Sequence, residues 1–294
     1  MLAQFATATC AVDGATIHLQ HGGKGPPLLL LHGFPQTHVI WHQLADRLAE
    51  HFTLVMPDLR GYGDSSKPPG DADHANYSKR TMAADMLAVM AQLGHARFQV
   101  CGHDRGGRVA HRLALDHPDA VRKLMLLDIA PTLTMYEGTN QAFATLYYHW
   151  FMLIQPAPLP ETLLGNNAQF FLEGALGGWG SSGAFIDPLA MAEYRRCFCT
   201  PEAIHAACED YRASAGIDLV HDRADAQRKI ACPLHLIWGE HGVVGRLFAP
   251  MANWQEKCAG PLTGRAIAAG HFIPEQQPDL LLAEMLAFFS RDID

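Results

Sequence analysis

Residues 98–109 read FQVCGHDRGGRV. The apolar run ending at Cys101 predicts a strand, and the residues from Val109 onward predict a helix. Gly102 and Gly106 flank Asp104, and such small neighbours let a chain turn so sharply that the central side chain points outward at the carboxyl edge of a sheet. Asp104 is therefore a candidate nucleophile. A carboxylate nucleophile displaces a leaving group from carbon and forms an ester, which a second step must hydrolyse.

Composition sets the limits on function. The 294 residues are 49% hydrophobic and 18% charged, which is typical of a soluble globular protein, and the length suits a large α/β domain with an insertion. A net charge of −8 argues against a nucleic-acid partner. Seven cysteines form neither a disulfide framework nor a zinc pattern. With no apolar stretch long enough to cross a membrane, we expect a cytoplasmic protein that binds neither membranes nor nucleic acid.

Strand and helix signals alternate through the first part of the chain, which predicts right-handed crossovers and a mostly parallel sheet. Pro27 to Leu31 is expected to be a buried central strand and Thr16 to Gln20 an edge strand. Strand signals stop near Pro131 and resume after about Arg223. We therefore predict three segments: a first core part (1–130), a helical cap (131–223) and a second core part (224–294).

A second functional loop follows the central strand. His32-Gly33-Phe34-Pro35 lies where a loop that binds a developing oxyanion is expected, with the backbone N–H groups of Phe34 and Arg105 as donors. Both loops also have a structural alternative. In these alternatives, Gly33 and Pro35 serve only as a turn, and Asp104 only interacts with the dipole at a helix N-terminus.

Two further residues, Asp128 and His271, are candidate catalytic partners of Asp104. Asp128 ends the predicted strand 124–127, and His271 follows the last predicted strand within Gly-His-Phe. The order Asp104, Asp128, His271 is the nucleophile, acid, histidine order of α/β-hydrolases, in which the histidine acts as base and the acid fixes its tautomer. The acid often follows the next strand instead, where Glu240 is the alternative.

Arg105 and Arg108 lie on one face of the helix that begins at Asp104. Two guanidinium groups beside the nucleophile keep it ionised, and they can also bind a substrate carboxylate bidentately. The alternative for both arginines is ordinary salt bridging to acidic residues of the cap.

Several motifs carry a family resemblance. HGFPQTHVIWH, DLRGYGDS, GHDRGGR, YYHW, QPAPLPE, CEDYR and GHF resemble the fluoroacetate (haloacetate) dehalogenases of the α/β-hydrolase fold, from about Pro27 to near the C-terminus. The resemblance implies hydrolysis of a small 2-haloacid, such as fluoroacetate, to the 2-hydroxyacid and halide. It also implies a cofactor-independent homodimer. No metal is expected, because neither HExxH nor a comparable ligand spacing occurs in the sequence. The roles that the resemblance implies are nucleophile Asp104, base His271, acid Asp128, carboxylate-binding Arg105 and Arg108, and halide-binding His149, Trp150 and Tyr211.

The chemistry of the three halide-binding candidates is consistent with that role, because imidazole, indole and phenol groups donate hydrogen bonds to a departing halide. Ordinary aromatic packing in the cap is the alternative. Two other functions remain open. An epoxide hydrolase would use the same triad with Tyr147 or Tyr148 and Tyr211 as acids, and a non-catalytic protein would only bind a small anion.

Overall fold

The computed structural model describes residues 1–178 and 183–290. Its described residues form an eight-stranded sheet in the order β1-β2-β4-β3-β5-β6-β7-β8. The β1–β2 and β2–β4 pairs are antiparallel, and the other neighbours are parallel. The strands are β1 (Ala6–Val12), β2 (Ala15–Gly23), β3 (Pro27–Leu31), β4 (Thr53–Pro57), β5 (Phe98–His103), β6 (Val121–Leu127), β7 (Leu234–Gly239) and β8 (Leu262–Ile267). The predicted mostly parallel sheet of an α/β-hydrolase is confirmed.

The described helices either flank this sheet or lie in the segment between β6 and β7. They are α1 (Ala45–Ala49), α2 (Lys79–Gln92), α3 (Asp104–Asp116), α4 (Thr132–Glu137), α5 (Gln141–Leu146), α6 (Tyr148–Leu153), α7 (Leu159–Gly165), α8 (Ala168–Gly177), α9 (Pro188–Phe198), α10 (Pro201–Ala215), α11 (Ile217–Ala224), α12 (Val243–Leu247), α13 (Pro250–Gln255), α14 (Ile273–Gln276) and α15 (Pro278–Phe289). Short 3₁₀ helices cover His38–Trp41 and Ala75–Tyr77. Within the described residues, no helix is both long and apolar enough to cross a membrane.

The sheet separates two apolar clusters. In β3, Leu29 and Leu31 contribute to the cluster under α2 and α3, while Leu28 and Leu30 contribute to the cluster on the opposite face. All four side chains are fully buried, because a central parallel strand is covered on both faces. The continuous apolar run in the sequence therefore predicted this strand correctly.

The predicted edge strand is wrong in position. Thr16 to Gln20 lies within β2, which pairs with β1 on one side and β4 on the other. The edge strand on this side of the sheet is β1, which has the sequence ATATCAV, and most of its side chains are exposed or half-buried. A strand with so few large apolar residues gives little periodic signal.

Helices α4 to α11 occupy the chain between β6 and β7, although these two strands are neighbours in the sheet. We call residues 132–224 the helical insert. The assignment of this segment as a cap stays a prediction. Asp104, Asp128 and His271 all follow strands at the carboxyl edge of the sheet, where active sites of parallel α/β sheets form. Residues 179–182 of the predicted cap and 291–294 of the second core part lie outside the described residues.

Candidate active site

The turn between β5 and α3 is as sharp as the glycines predicted. Asp104 has φ +46°, in the left-handed region that L residues rarely adopt. A Cβ on Gly106 would lie 2.3 Å from the carbonyl oxygen of His32, so only glycine lets α3 approach the loop after β3 this closely. Local backbone strain at Asp104 thus places a carboxylate at the sheet edge.

Asp128 and His271 form a hydrogen-bonded pair. Nδ1 of His271 lies 2.6 Å from Oδ2 of Asp128, whose Oδ1 accepts the N–H of Gly239 at 2.9 Å. Nε2 of His271 lies 3.8 Å from Oδ2 of Asp104. Asp128 therefore holds the histidine so that its other nitrogen faces the nucleophile. The alternative acid, Glu240, is an exposed residue.

The loop after β3 contacts Asp104 directly. The backbone N–H of Phe34 donates to Oδ1 of Asp104 at 2.9 Å. The two carboxylate oxygens consequently have different surroundings, because Oδ1 faces the predicted oxyanion donor and Oδ2 faces His271. The Arg105 N–H remains a predicted second donor.

Electrostatics keep Asp104 ionised. Burial by itself raises the pKa of Asp104, but the neighbouring His271, His103, Arg108 and Arg105 outweigh burial and lower the pKa below its ordinary value. Asp104 is therefore a carboxylate at neutral pH, which is the protonation state that a candidate carboxylate nucleophile requires.

The surroundings of Arg105 agree in part with both sequence hypotheses, salt bridging to an acidic residue of the cap and binding of a substrate carboxylate. Its guanidinium is completely buried and forms a salt bridge to Asp210 of α10, with Nε 2.8 Å from Oδ2 and Nη2 2.6 Å from Oδ1. Nη1 has no hydrogen-bond partner among the described residues. The Nε and Nη2 atoms, which were expected to bind a substrate carboxylate bidentately, therefore bind Asp210 of the insert. The open nitrogen, Nη1, is the candidate for a substrate.

Arg108 presents a similar single donor. Its Nη1 donates to Oγ1 of Thr132 at 2.8 Å and to the carbonyl of Ala130 at 3.2 Å, whereas Nε has no partner in the described part of the chain. Burial lowers the pKa of Arg108, and attraction by Asp104 opposes this change. Each arginine thus offers one open N–H nitrogen, so the predicted carboxylate site would take one nitrogen from each.

The three predicted halide ligands lie together against these arginines. The Arg105 guanidinium carbon is 4.2 Å from the ring centre of Tyr211, and that of Arg108 is 4.7 Å from the ring centre of Trp150. The His149 ring is 5.7 Å from the Tyr211 ring. All three aromatic side chains are at most 2% exposed, and Nε1 of Trp150 has no acceptor among the described residues.

His149 is neutral at ordinary pH, because burial lowers its pKa to about 3. A neutral imidazole donates through one nitrogen only. The predicted halide pocket would therefore rely on neutral N–H and O–H donors, with positive charge supplied by the adjacent arginines.

Sequence reasoning missed the residues around Asp210. Tyr62 donates its hydroxyl to Oδ2 of Asp210 at 2.5 Å, and Lys79 donates to Oδ1. The motif CEDYR contains Asp210, yet only Tyr211 was assigned a role. Helical spacing alone does not show that adjacent residues on α10 face an arginine and a nucleophile more than a hundred residues away.

Two clusters within the described residues have metal-ligand chemistry: His18, His38 and Asp58, and Glu161, His205 and Glu209. Hydrogen bonds already use these groups. Asp58 Oδ1 accepts from His38 Nδ1 at 2.8 Å and its Oδ2 accepts from the Asp64 N–H at 2.9 Å. Arg212 forms salt bridges to both glutamates. Their arrangement is explained by internal pairing.

The sheet order, the strained turn at Asp104, the carboxylate after β6 and the histidine after β8 define an α/β-hydrolase fold with a carboxylate at the candidate nucleophile position. Residues 26–278 match the α/β-hydrolase fold family. The chain is 46% identical over 269 residues to a fluoroacetate dehalogenase of Burkholderia sp, covering 91% of this chain and 88% of the relative. The chain belongs to the haloacetate dehalogenase family of the α/β-hydrolase fold.

Other relatives show the range of this fold. A soluble epoxide hydrolase of Corynebacterium sp. (strain C12) is 32% identical over 282 residues, with 95% of both chains covered. A crystal structure from Nostoc sp PCC 7120 with an α/β-hydrolase description superposes with a TM-score of 0.97 at 52% identity, covering 99% of this chain and 100% of that chain. The protein is therefore a hydrolase.

Proposed function

We propose that this hydrolase converts a small 2-haloacid such as fluoroacetate to the 2-hydroxyacid and halide. The observation that carries the proposal is the pair of open arginine nitrogens, Nη1 of Arg105 and Nε of Arg108, buried beside an ionised Asp104. Buried guanidinium N–H groups without a partner are costly unless a ligand occupies them. A carboxylate attached to the reacting carbon fits this requirement.

The first step is substitution at carbon. Oδ2 of Asp104 attacks the α-carbon, a C–O bond forms, and the carbon–halogen bond breaks in line with it. The halide leaves with its electron pair toward the indole N–H of Trp150, with His149 and Tyr211 as the further proposed donors. The product is an ester of Asp104 and free halide. Fluoride depends most on these donors because it is a small anion with a high charge density.

The second step is hydrolysis of the ester. Nε2 of His271 takes a proton from water, and the resulting hydroxide attacks Cγ of Asp104. Charge develops on Oδ1, which the Phe34 N–H already contacts at 2.9 Å, and Arg105 N–H is the proposed second donor. The ester then breaks and the hydroxyacid takes the proton from His271. Asp104, now a carboxylic acid that holds the oxygen of the water, loses its proton to solvent and is a free carboxylate again. Asp128 stabilises the protonated histidine through its 2.6 Å contact.

The helical insert has the role of a cap in this proposal, because it supplies the halide donors and closes the site over the sheet edge. A site whose side chains are nearly all buried favours a small substrate. The family resemblance further leads us to propose a homodimer that works without a cofactor. The cysteine pattern leads us to propose that it works in the cytoplasm.

The direct test is ion chromatography of halide released from fluoroacetate, chloroacetate and bromoacetate, with glycolate measured in the same samples. We expect equal amounts of halide and glycolate with the wild-type protein and neither with Asp104→Asn. Absence of halide from all three substrates would refute the proposed function.

Epoxide hydrolysis is a second candidate, because a relative of that description matches nearly the whole chain and because Tyr147 and Tyr211 are both buried near Asp104. The Tyr147 hydroxyl lies 3.5 Å from Nδ1 of His271. A neutral epoxide would leave both open arginine nitrogens unpaired, which favours the haloacid. Diol formation from epichlorohydrin in place of halide release from haloacetates would favour the second candidate.

A further inference from the structure

Lys79 lies outside the proposed catalytic groups, yet its ammonium is buried at the back of the arginine site. It is the first residue of α2 and only 4% exposed. Its Nζ donates to Oδ1 of Asp210, the same oxygen that accepts from Nη2 of Arg105. Its Nζ also lies 3.5 Å from Asp218 of α11. Lys79 and Arg105 therefore share one carboxylate.

This sharing matters for the charge of the site. Asp210 on its own would neutralise Arg105, because the two groups form a buried bidentate salt bridge. Arg108 would then be the remaining cation facing two anions, Asp104 and the carboxylate of the substrate. Lys79 adds a third buried cation behind Asp210. Asp218 works against it, although burial raises the pKa of Asp218 and so disfavours its negative form.

We propose that Lys79 is a positioning residue of the anion site: by sharing Asp210 with Arg105, it leaves Arg105 enough positive charge to bind a substrate carboxylate through Nη1. This inference rests on the proposed function for its substrate, since it assigns the origin of the anion preference. Asp210 fixes the direction of the guanidinium, and Lys79 sets the net charge behind it. Neither group touches the reacting atoms.

A purely structural role is the competing explanation, because Lys79 also links the core to the helical insert. Two substitutions separate the explanations. Lys79→Met removes the cation, whereas Asp218→Asn removes the anion beside it. A charge role moves anion affinity in opposite directions in the two variants. A cross-linking role weakens the site in both, since each substitution breaks a contact between α2 and the insert.

The measurement is calorimetric binding of glycolate, the proposed product, to each full-length protein at low salt, together with KM and kcat for chloroacetate. We expect Lys79→Met to raise the glycolate Kd and the chloroacetate KM about tenfold, with a much smaller change in kcat. Asp218→Asn should tighten glycolate binding about threefold. Lys79→Arg, which keeps the charge, should restore binding.

Lys67→Met is the matched control, because Lys67 is also partly buried and donates to the backbone carbonyls of Gly63 and Ser65. Its glycolate Kd should stay within about twofold of wild type.

The inference is overturned if glycolate binds more weakly to both Lys79→Met and Asp218→Asn, or if binding is unchanged in both. It is also overturned if the wild-type protein binds no glycolate. If Lys79→Met fails to fold, Asp218→Asn alone decides by the sign of its effect. A wild type that binds glycolate but releases no halide would refute only the proposed function.

Discussion

The two sides of the site are built by different means. On the sheet side, Asp104 and Asp128 occupy backbone positions directly after β5 and β6, with φ values of +46° and +51°. On the insert side, Trp150 and Tyr211 are held by stacking against arginines and by contacts with other rings. We call these the sheet side (Asp104, Asp128 and His271) and the insert side (His149, Trp150, Asp210 and Tyr211).

Because the two sides are built differently, we expect their residues to serve different functions. Strand ends in a hydrogen-bonded sheet fix their side chains closely, as in-line attack and proton transfer require. The insert side chains, on α6 and α10, are the candidates for contacts with the substrate and the leaving group. We therefore expect substitutions on the sheet side to stop a chemical step, and substitutions on the insert side to change substrate preference.

The largest effect is expected on the sheet side, from Asp128→Asn. This variant keeps the shape of the side chain but loses the charge that holds His271 at 2.6 Å and stabilises its protonated form. Steady-state turnover of chloroacetate should fall about a thousandfold. Glu240→Gln, which changes the exposed alternative acid, is the control and should stay within about twofold of wild type. The opposite ranking would mean that Glu240 is the acid.

Arg108→Lys should have the next largest effect. Lysine has a single nitrogen, so it cannot donate to the Ala130 carbonyl and Thr132 Oγ1 and also present a second nitrogen to the substrate. We expect kcat/KM for chloroacetate to fall about thirtyfold, or roughly 2 kcal/mol of transition-state stabilisation. Arg112→Lys is the control on the same helix, because Arg112 pairs with Asp116, Asp222 and Asp225 instead. Near-normal kinetics in Arg108→Lys would remove Arg108 from the carboxylate site.

Trp150→Phe tests whether the insert side selects the leaving group. The substitution deletes the indole N–H, which has no acceptor among the described residues, and keeps most of the ring that stacks on Arg108. Defluorination should fall about tenfold and debromination about twofold, because fluoride gains more from a hydrogen bond as it leaves. Equal losses for fluoroacetate and bromoacetate would show that Trp150 acts by packing.

The smallest effect on turnover is expected from a substitution of Glu275, which links the loop after β3 to the insert. Glu275 is buried and accepts hydrogen bonds from Nε2 of Gln36 at 2.7 Å and from the hydroxyl of Tyr194, on α9 of the insert, at 2.8 Å. Burial raises the pKa of Glu275 from 4.5 to about 7. Between these values the folded state binds the proton more tightly than the unfolded chain, so this carboxyl makes the protein less stable as pH rises.

Glu275→Gln removes this titration. With the Gln36 amide reversed, the new amide can donate to Oε1 of Gln36, which has no donor in the described residues. The free energy of unfolding of the variant relative to wild type should increase by roughly 2 to 3 kcal/mol between pH 5 and pH 8, measured by urea denaturation. Glu256→Gln, at an exposed glutamate, should show no such change. A constant difference across this pH range would contradict the assignment.

The sheet side could be predicted from sequence because strand ends leave a local signal. Glycines around Asp104, an apolar run before Asp128 and a glycine before His271 placed these residues in catalytic order. The insert side gave no comparable signal, since His149, Trp150 and Tyr211 were assigned through family resemblance. The salt bridge between Arg105 and Asp210 depends on how α10 packs over α3, which no local pattern encodes. β1 was missed for a related reason, because its exposed, small side chains lack apolar alternation.

The two-step mechanism is tested most directly by His271→Asn mixed with excess chloroacetate. Asp104 is already ionised, because its neighbours lower its pKa, and it needs no base to attack carbon. We expect a burst of about one chloride per active site, then no further turnover, and a carboxymethyl ester on the peptide that contains Asp104. The double variant with Asp104→Asn should give no burst. Absence of a burst in His271→Asn would mean that His271 acts in the first step, and an adduct on another residue would mean that Asp104 is not the nucleophile.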